Sequence, residues 1–167
     1  ITNPNQPTGT IINDNRLKAI FAKCKKSKVP LIIDQSYYEF TTKNKIKIEK
    51  EVQNNNYIFA CRTFSKSYGV AGARIGYIIS NKENINRLFK IKPLADINCF
   101  ALKLVEILLK DPSFFKNYLK EINSSKKILE KFFKKKKIYY ILTNTNFLII
   151  KIETKRKLTS IYNFLLI

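Results

Sequence analysis

Lys66 lies in a segment, residues 61–77, that also contains several hydroxyl side chains, three glycines and two arginines. A lysine amine can condense with an aldehyde to form a Schiff base. Thr63 lies three residues before Lys66 and Arg74 eight residues after it, and a hydroxyl and a guanidinium can together hold a phosphate. The segment therefore predicts a site for a phosphorylated aldehyde cofactor, pyridoxal 5′-phosphate.

Two further segments belong with residues 61–77. Residues 3–10 form an Asn-Pro-Asn-Gln-Pro-Thr-Gly-Thr turn, and residues 31–40 form an apolar strand that ends in Asp34, with Tyr37 three residues later. In this order the three segments resemble motifs of the class I and II aminotransferases of fold type I, and most closely the branch of the histidinol-phosphate aminotransferases.

The resemblance implies a role for each candidate site residue. Lys66 would bond to the cofactor and act as the catalytic base and acid on the substrate Cα proton. Asp34 would keep the pyridine nitrogen protonated, and Tyr37 would donate to the phenolic oxygen. The cofactor phosphate would be held by three side chains, namely Thr63, Ser65 and Arg74.

Gln6 departs from the motif, since the family usually has asparagine at this position. Glutamine is one methylene longer, so the contact to the cofactor is either kept with a shifted backbone or lost. Residues 92–98 also depart from the family pattern, which leaves the substrate open. A threonine-phosphate decarboxylase would share Lys66, Asp34 and Arg74, and it is the nearest alternative to an aminotransferase that uses a donor such as glutamate and an oxo acceptor.

Strand and helix patterns alternate along the chain and predict an α/β fold. Apolar runs predict strands at 29–34, 57–61, 76–80, 138–142 and 146–152, and helical periodicity predicts helices at 13–26, 82–90, 102–108, 112–133 and 158–167. The resemblance implies a partial large domain with a mainly parallel sheet and the start of a small C-terminal α/β domain. The expected boundaries are 1–110 for the large domain, 111–137 for a linking helix and 138–167 for the truncated small domain.

Composition narrows the function classes. The chain has 167 residues, of which 45% are hydrophobic, enough for one core and part of a second. It has no histidine and only three widely spaced cysteines, so we expect no metal site. It lacks a signal peptide pattern and any apolar run of about 18 residues, so we expect a cytoplasmic protein that does not enter a membrane.

The formal net charge of +20 comes almost entirely from lysine. Specific nucleic-acid binding favours arginine, so a solvated lysine surface is the preferred explanation and no specific nucleic-acid partner is expected. The remaining alternative is a catalytically incomplete fragment that binds polyanions weakly. The chain starts inside a motif and has no methionine, so we expect an internal fragment of a longer protein, which the resemblance implies is a homodimer.

Overall fold

Helices and short strands alternate in the computed structural model, which describes residues 1–41, 47–94, 97–152 and 154–165. The helices are α1 (Asp14–Ser27), α2 (Ile48–Gln53), α3 (Phe64–Ser67), α4 (Lys82–Phe89), α5 (Cys99–Lys110), α6 (Pro112–Lys135) and α7 (Lys155–Leu165). The strands are β1 (Leu31–Asp34), β2 (Ile58–Thr63), β3 (Gly76–Ile79), β4 (Tyr140–Ile141) and β5 (Ile149–Ile150). Single 3-10 turns lie at Tyr38–Phe40 and Ala71–Ala73.

Three strands form the sheet that carries the predicted site, in the order β1-β2-β3. The β1–β2 pair is parallel and brings Asp34 opposite Cys61, whereas the β2–β3 pair is antiparallel. Parallel pairing, as expected, joins β1 to β2 and also joins Thr2 to Asp34 in an isolated bridge, whereas β3 is added antiparallel. Residues 64–75 do not cross back over the sheet, so β3 starts at the carboxyl end of β2 and runs in the opposite direction.

The main core lies between this sheet and helices α1 and α2. Leu17 and Phe21, four residues apart on α1, are 1% and 2% exposed, which is the helical spacing that the sequence predicted. They pack with five buried residues of the sheet and α2, namely Ile33, Ile48, Val52, Ile58 and Ala60. Each fully buried large apolar side chain contributes about 1.5–3 kcal/mol to stability, so this cluster anchors the strand ends that carry the site.

Local capping explains several helix boundaries. The Asn13 side chain accepts a hydrogen bond from the Arg16 amide at 2.9 Å and starts α1. The Asp111 side chain accepts from the Ser113 amide at 2.9 Å, and Pro112 occupies the first turn of α6. The helices predicted at 13–26, 82–90 and 112–133 are confirmed within two residues at each end.

The C-terminal part of the chain contains the antiparallel pair β4–β5 followed by α7. Both strands have two residues, so they are shorter than the runs 138–142 and 146–152 that the sequence predicted. Helix α6 packs on the end of α3, because Phe115 stacks on Tyr68 with a centroid distance of 4.7 Å. No helix in the described ranges is long and apolar enough to cross a membrane. The three domain boundaries stay predictions.

Candidate active site

Asp34 ends β1 and is held in place by the segment that follows it. Its Oδ1 accepts two hydrogen bonds from Ser36, one from the amide at 2.8 Å and one from the hydroxyl at 2.6 Å. Its backbone is fixed on the other side, since the Asp34 amide donates to the carbonyl of Ile1 at 2.8 Å. Within residues 1–41, 47–94, 97–152 and 154–165 we find no hydrogen bond to Oδ2, which leaves one carboxylate oxygen available to a ligand.

Asp34 also affects the thiol next to it on β2. Burial raises the pKa of the Cys61 thiol, and the negative charge of Asp34 raises it further. Cys61 is therefore a protonated thiol at neutral pH. Asp34 and Cys61 lie opposite each other at the end of the parallel strand pair, where open α/β sheets bind their ligands.

Tyr37 is nearly buried, with 6% of its surface exposed. Its hydroxyl donates a hydrogen bond to Oε1 of Gln6 at 2.7 Å. The edge of the Phe147 ring packs against the Tyr37 ring at a centroid distance of 5.7 Å and an angle of 89°. Gln6 therefore lies beside the Tyr37 hydroxyl, and its side-chain amide nitrogen can still donate to a ligand.

Lys66 lies in α3, directly after β2, and its Nζ is 5.9 Å from the centroid of the Tyr37 ring. Its side chain is half-buried. The chain has 27 lysines, and among those whose side chains are described only Lys66 and Lys126 are not exposed. In the same described part Lys66 makes no hydrogen bond or ion pair, so its amine is available to react.

Thr63 and Ser65 lie together at the start of α3. Oγ1 of Thr63 accepts a hydrogen bond from the Ser65 amide at 3.0 Å, and it lies 2.9 Å from the Ser65 hydroxyl. Arg74 is exposed, and its Nη1 donates to the Ala71 carbonyl at 3.2 Å. The structure therefore brings the two hydroxyls together, whereas no hydrogen bond joins Arg74 to either of them in the part of the chain described.

Two glycines of the motif are required by close contacts. Gly76 opens β3, and a Cβ atom there would lie 2.6 Å from the carbonyl oxygen of Arg62. Gly69 has φ +69°, and its added Cβ would lie 3.1 Å from the Tyr118 ring of α6. These glycines let the loop with Lys66 pass close to both β2 and α6.

Arg62 supports the site without belonging to it. Its Nε donates to Oε1 of Gln35 and its Nη1 to Oε1 of Glu49, both at 2.9 Å. The guanidinium carbon also lies 4.0 Å above the Tyr38 ring centroid. Arg62 thus links β2 to α2 and to the segment after Asp34.

Sequence reasoning missed the contribution of residues 143–147, which we call the strap. Its Phe147 covers Tyr37, and the amide of its Asn144 donates to the carbonyl of Gly9 at 3.1 Å. Lys126 of α6 donates to two strap carbonyls. The only signal in the sequence was the resemblance of the Asn146-Phe147 strand to a family strand, which gave no indication of these contacts.

A separate cavity of about 410 Å³ lies between β3 and α4. Its lining is mainly apolar and includes Tyr77, Ile78, Leu88 and Phe89, but none of the predicted site residues. The candidate site is therefore defined by the cluster at the strand ends and not by this cavity.

Comparison with known proteins decides the family. The model of the family "Aminotransferase class I and II" matches residues 1–160. The chain belongs to this family. The family and fold expected from the three motifs are thereby confirmed.

The relatives of this aminotransferase chain include several histidinol-phosphate aminotransferases. It is 34% identical over 170 residues to histidinol-phosphate aminotransferase 2 of Legionella pneumophila (strain Lens), with 99% of this chain and 44% of that protein covered. It is 32% identical over 164 residues to the histidinol-phosphate aminotransferase of Staphylococcus haemolyticus, with 95% and 44% covered. The chain thus spans less than half the length of these relatives.

Solved structures show the same fold. The histidinol-phosphate aminotransferase of Clostridium acetobutylicum matches with a TM-score of 0.77 and 28% identity, over 92% of this chain and 47% of that one. The Sinorhizobium meliloti enzyme in complex with pyridoxal-5′-phosphate matches with a TM-score of 0.83 and 24% identity, over 94% and 42%. The L-threonine-O-3-phosphate decarboxylase of Porphyromonas gingivalis matches with a TM-score of 0.75 and 22% identity, over 95% and 51%.

Proposed function

We propose that this chain carries the lysine-bearing part of a pyridoxal-phosphate-dependent aminotransferase similar to histidinol-phosphate aminotransferase. The protein would transfer an amino group from an amino acid donor, expected to be glutamate, to a 2-oxo acid or a phosphorylated ketone. One observation carries the proposal: the half-buried, unbonded amine of Lys66 lies beside Tyr37, whose hydroxyl is held by Gln6.

The side chains present fit this cofactor. Asp34 has one carboxylate oxygen without a hydrogen bond in the described ranges, and this oxygen can accept a hydrogen bond from the N–H of a pyridinium ring. The hydroxyl pair of Thr63 and Ser65 offers donors to a phosphate, and Arg74 keeps further N–H groups beyond the one bonded to Ala71. The side-chain amide nitrogen of Gln6 offers donors for a phenolic oxygen, whereas the single hydroxyl proton of Tyr37 is donated to Oε1 of Gln6.

When bound, the cofactor supplies an electron sink for the pair left at Cα after proton loss. The amine of Lys66 holds the cofactor and then moves the proton at Cα as base and acid. The carboxylate of Asp34 would keep a proton on the ring nitrogen, and the Tyr37 hydroxyl would donate to the ring oxygen in place of Gln6. Phe147 packs against Tyr37, which is buried, so water is excluded from the Tyr37 ring.

The test has a chemical and a catalytic part. Borohydride reduction of the protein with pyridoxal 5′-phosphate, followed by peptide mapping, should place the label on Lys66. Lys66→Arg should abolish that label, whereas the matched variant of an exposed lysine, Lys82→Arg, should leave it unchanged. Labelling spread over surface lysines, with no preference for Lys66, would contradict the proposal.

Activity is assayed in a polypeptide of the full length of the relatives. Glutamate-dependent formation of 2-oxoglutarate, lost in Lys66→Arg, supports amino transfer. Release of carbon dioxide from a phosphorylated amino acid without an oxo product would instead support the decarboxylase alternative. Salt-dependent binding of polyanions with no label on Lys66 would support the incomplete fragment. A homodimer and a cytoplasmic location stay predictions.

A further inference from the structure

Lys126 is the second lysine that is withdrawn from solvent among those with described side chains. Its Nζ donates to the carbonyl of Thr143 at 2.8 Å and to the carbonyl of Thr145 at 2.7 Å. Burial lowers the pKa of Lys126, and the charge of Glu130 acts in the opposite direction. Burying part of an ammonium group costs free energy unless its N–H groups form hydrogen bonds. The carbonyls of Thr143 and Thr145 provide these hydrogen bonds to Lys126.

The strap that Lys126 holds is itself well ordered by internal contacts. Thr143 and Thr145 are 8% and 1% exposed, and their hydroxyls lie 2.7 Å apart. The Thr143 hydroxyl also bonds to the carbonyl of Phe147. Because these bonds close the strap on itself, the position of Phe147 follows the position of the two carbonyls that Lys126 binds.

The strap reaches the candidate site at two points. Asn144 donates to the carbonyl of Gly9 through its amide at 3.1 Å and through Nδ2 at 3.3 Å. Phe147 packs edge-on against Tyr37, whose ring faces Lys66. A continuous set of contacts thus runs from α6 through the strap to the phenol.

We propose that Lys126 is a positioning residue, which holds the strap so that Phe147 seals and orients Tyr37 beside the reactive lysine. The importance of Lys126 for catalysis rests on the function proposed above. Its role in sealing Tyr37 does not depend on that function. Lys126 touches neither substrate nor cofactor in this scheme. Its effect passes through the strap alone.

The test measures the accessibility of Tyr37 by nitration with tetranitromethane and peptide mapping in the full chain without cofactor. Tyr139, which is 63% exposed, gives the reference rate, and half-buried Tyr57, which lies outside the strap contacts described, reports global loosening. In Lys126→Met we expect the nitration of Tyr37 relative to Tyr139 to rise about tenfold, with Tyr57 unchanged.

Three further variants complete this test. Lys126→Arg retains donors for both carbonyls and should restore protection, and Lys127→Met, at the exposed neighbouring position, should behave as wild type. If Lys126→Met does not fold, Lys126→Gln replaces it, with the same expected rise. Equal protection of Tyr37 in folded Lys126→Met or Lys126→Gln, or a parallel rise at Tyr57, overturns the proposal.

A second measurement separates this inference from the proposed function. If the cofactor binds, Lys126→Met should weaken its binding about tenfold by equilibrium titration, and Lys126→Arg should recover most of that affinity. Two results together would support the positioning role and refute the aminotransferase proposal. Tyr37 would become exposed in Lys126→Met, and the wild-type protein would bind no cofactor. Cofactor binding that is unchanged in Lys126→Met would refute the positioning role alone.

Discussion

Gly9 gives the sharpest stability prediction, because the turn that holds it touches the strap. Gly9 has φ +65°, and a Cβ added there would lie 2.2 Å from Cβ and 2.5 Å from Cγ2 of Thr143. An L-residue at this φ costs about 1–2 kcal/mol. The overlap forces one of the two segments to move, which costs about 1–3 kcal/mol more. We therefore expect Gly9→Ala to lower the free energy of unfolding by about 2–5 kcal/mol.

Two variants separate the two costs of Gly9→Ala. Thr143→Gly removes the atoms at 2.2 and 2.5 Å and leaves only the Thr143 Cα, at 3.2 Å. In the Thr143→Gly background, Gly9→Ala should cost only the free energy of placing an L-residue at positive φ. The double-mutant cycle should therefore give a coupling energy of about 1–3 kcal/mol between positions 9 and 143. Gly72→Ala is the matched control, since nothing lies within 4 Å of its added Cβ, and it should change stability by less than about 0.5 kcal/mol.

The assay for these variants is urea unfolding followed by circular dichroism, with the free energy taken by linear extrapolation. The reasoning is refuted if Gly9→Ala and Gly72→Ala have the same stability. It is also refuted if the cycle shows no coupling between positions 9 and 143, since the strap would then not contact the turn in solution.

Three further predictions concern the site. Arg62→Lys should lower the free energy of unfolding by about 1–2 kcal/mol in urea titrations, because lysine lacks the planar set of donors. Gln6→Asn should weaken cofactor binding roughly fivefold in equilibrium titration, because the shorter amide loses its bond to Tyr37. The pKa of Cys61 is higher in the folded protein than in the unfolded chain. Its contribution to the free energy of unfolding is therefore present below the unfolded-state pKa and is lost as the pH rises through the folded-state pKa. Asp34→Asn removes the nearby negative charge, so it should speed the alkylation of Cys61 by iodoacetamide at pH 8. The increase should be moderate, because burial is the larger cause of the raised pKa. An unchanged rate would contradict the charge effect of Asp34.

The sequence predicted those features that depend on neighbouring residues. The start of α1 follows from Asn13 as a cap, and the start of α6 follows from Asp111 with Pro112. The strand end at Asp34 and the loop with Lys66 also follow from local patterns of apolar runs, hydroxyls and glycines. Each of these signals acts over a few residues.

Other features depend on contacts between distant residues, and the sequence did not predict them. Helix α2 lies in a connection rich in lysine and asparagine, and it is stabilised by burial of Ile48 and Val52 in the main core. The antiparallel direction of β3 is set by the path of residues 64–75. The strap contact joins Asn144 to Gly9 across 135 positions of sequence, so no local pattern could indicate it.

The two withdrawn lysines show how a strongly basic chain can still hold a specific amine. With 27 lysines and a net charge of +20, charge alone cannot distinguish one lysine from another, and the described lysines other than Lys66 and Lys126 remain exposed. Lys126 is satisfied by two carbonyls and is thereby fixed as a structural group. Lys66 has lost part of its hydration and has gained no hydrogen bond within the described part of the chain. Covalent attachment of an aldehyde requires an amine that is free to form a bond. At Lys126 the partial loss of hydration is offset by two hydrogen bonds to carbonyls. At Lys66, where the chemistry is proposed, no hydrogen bond in the described part of the chain offsets it.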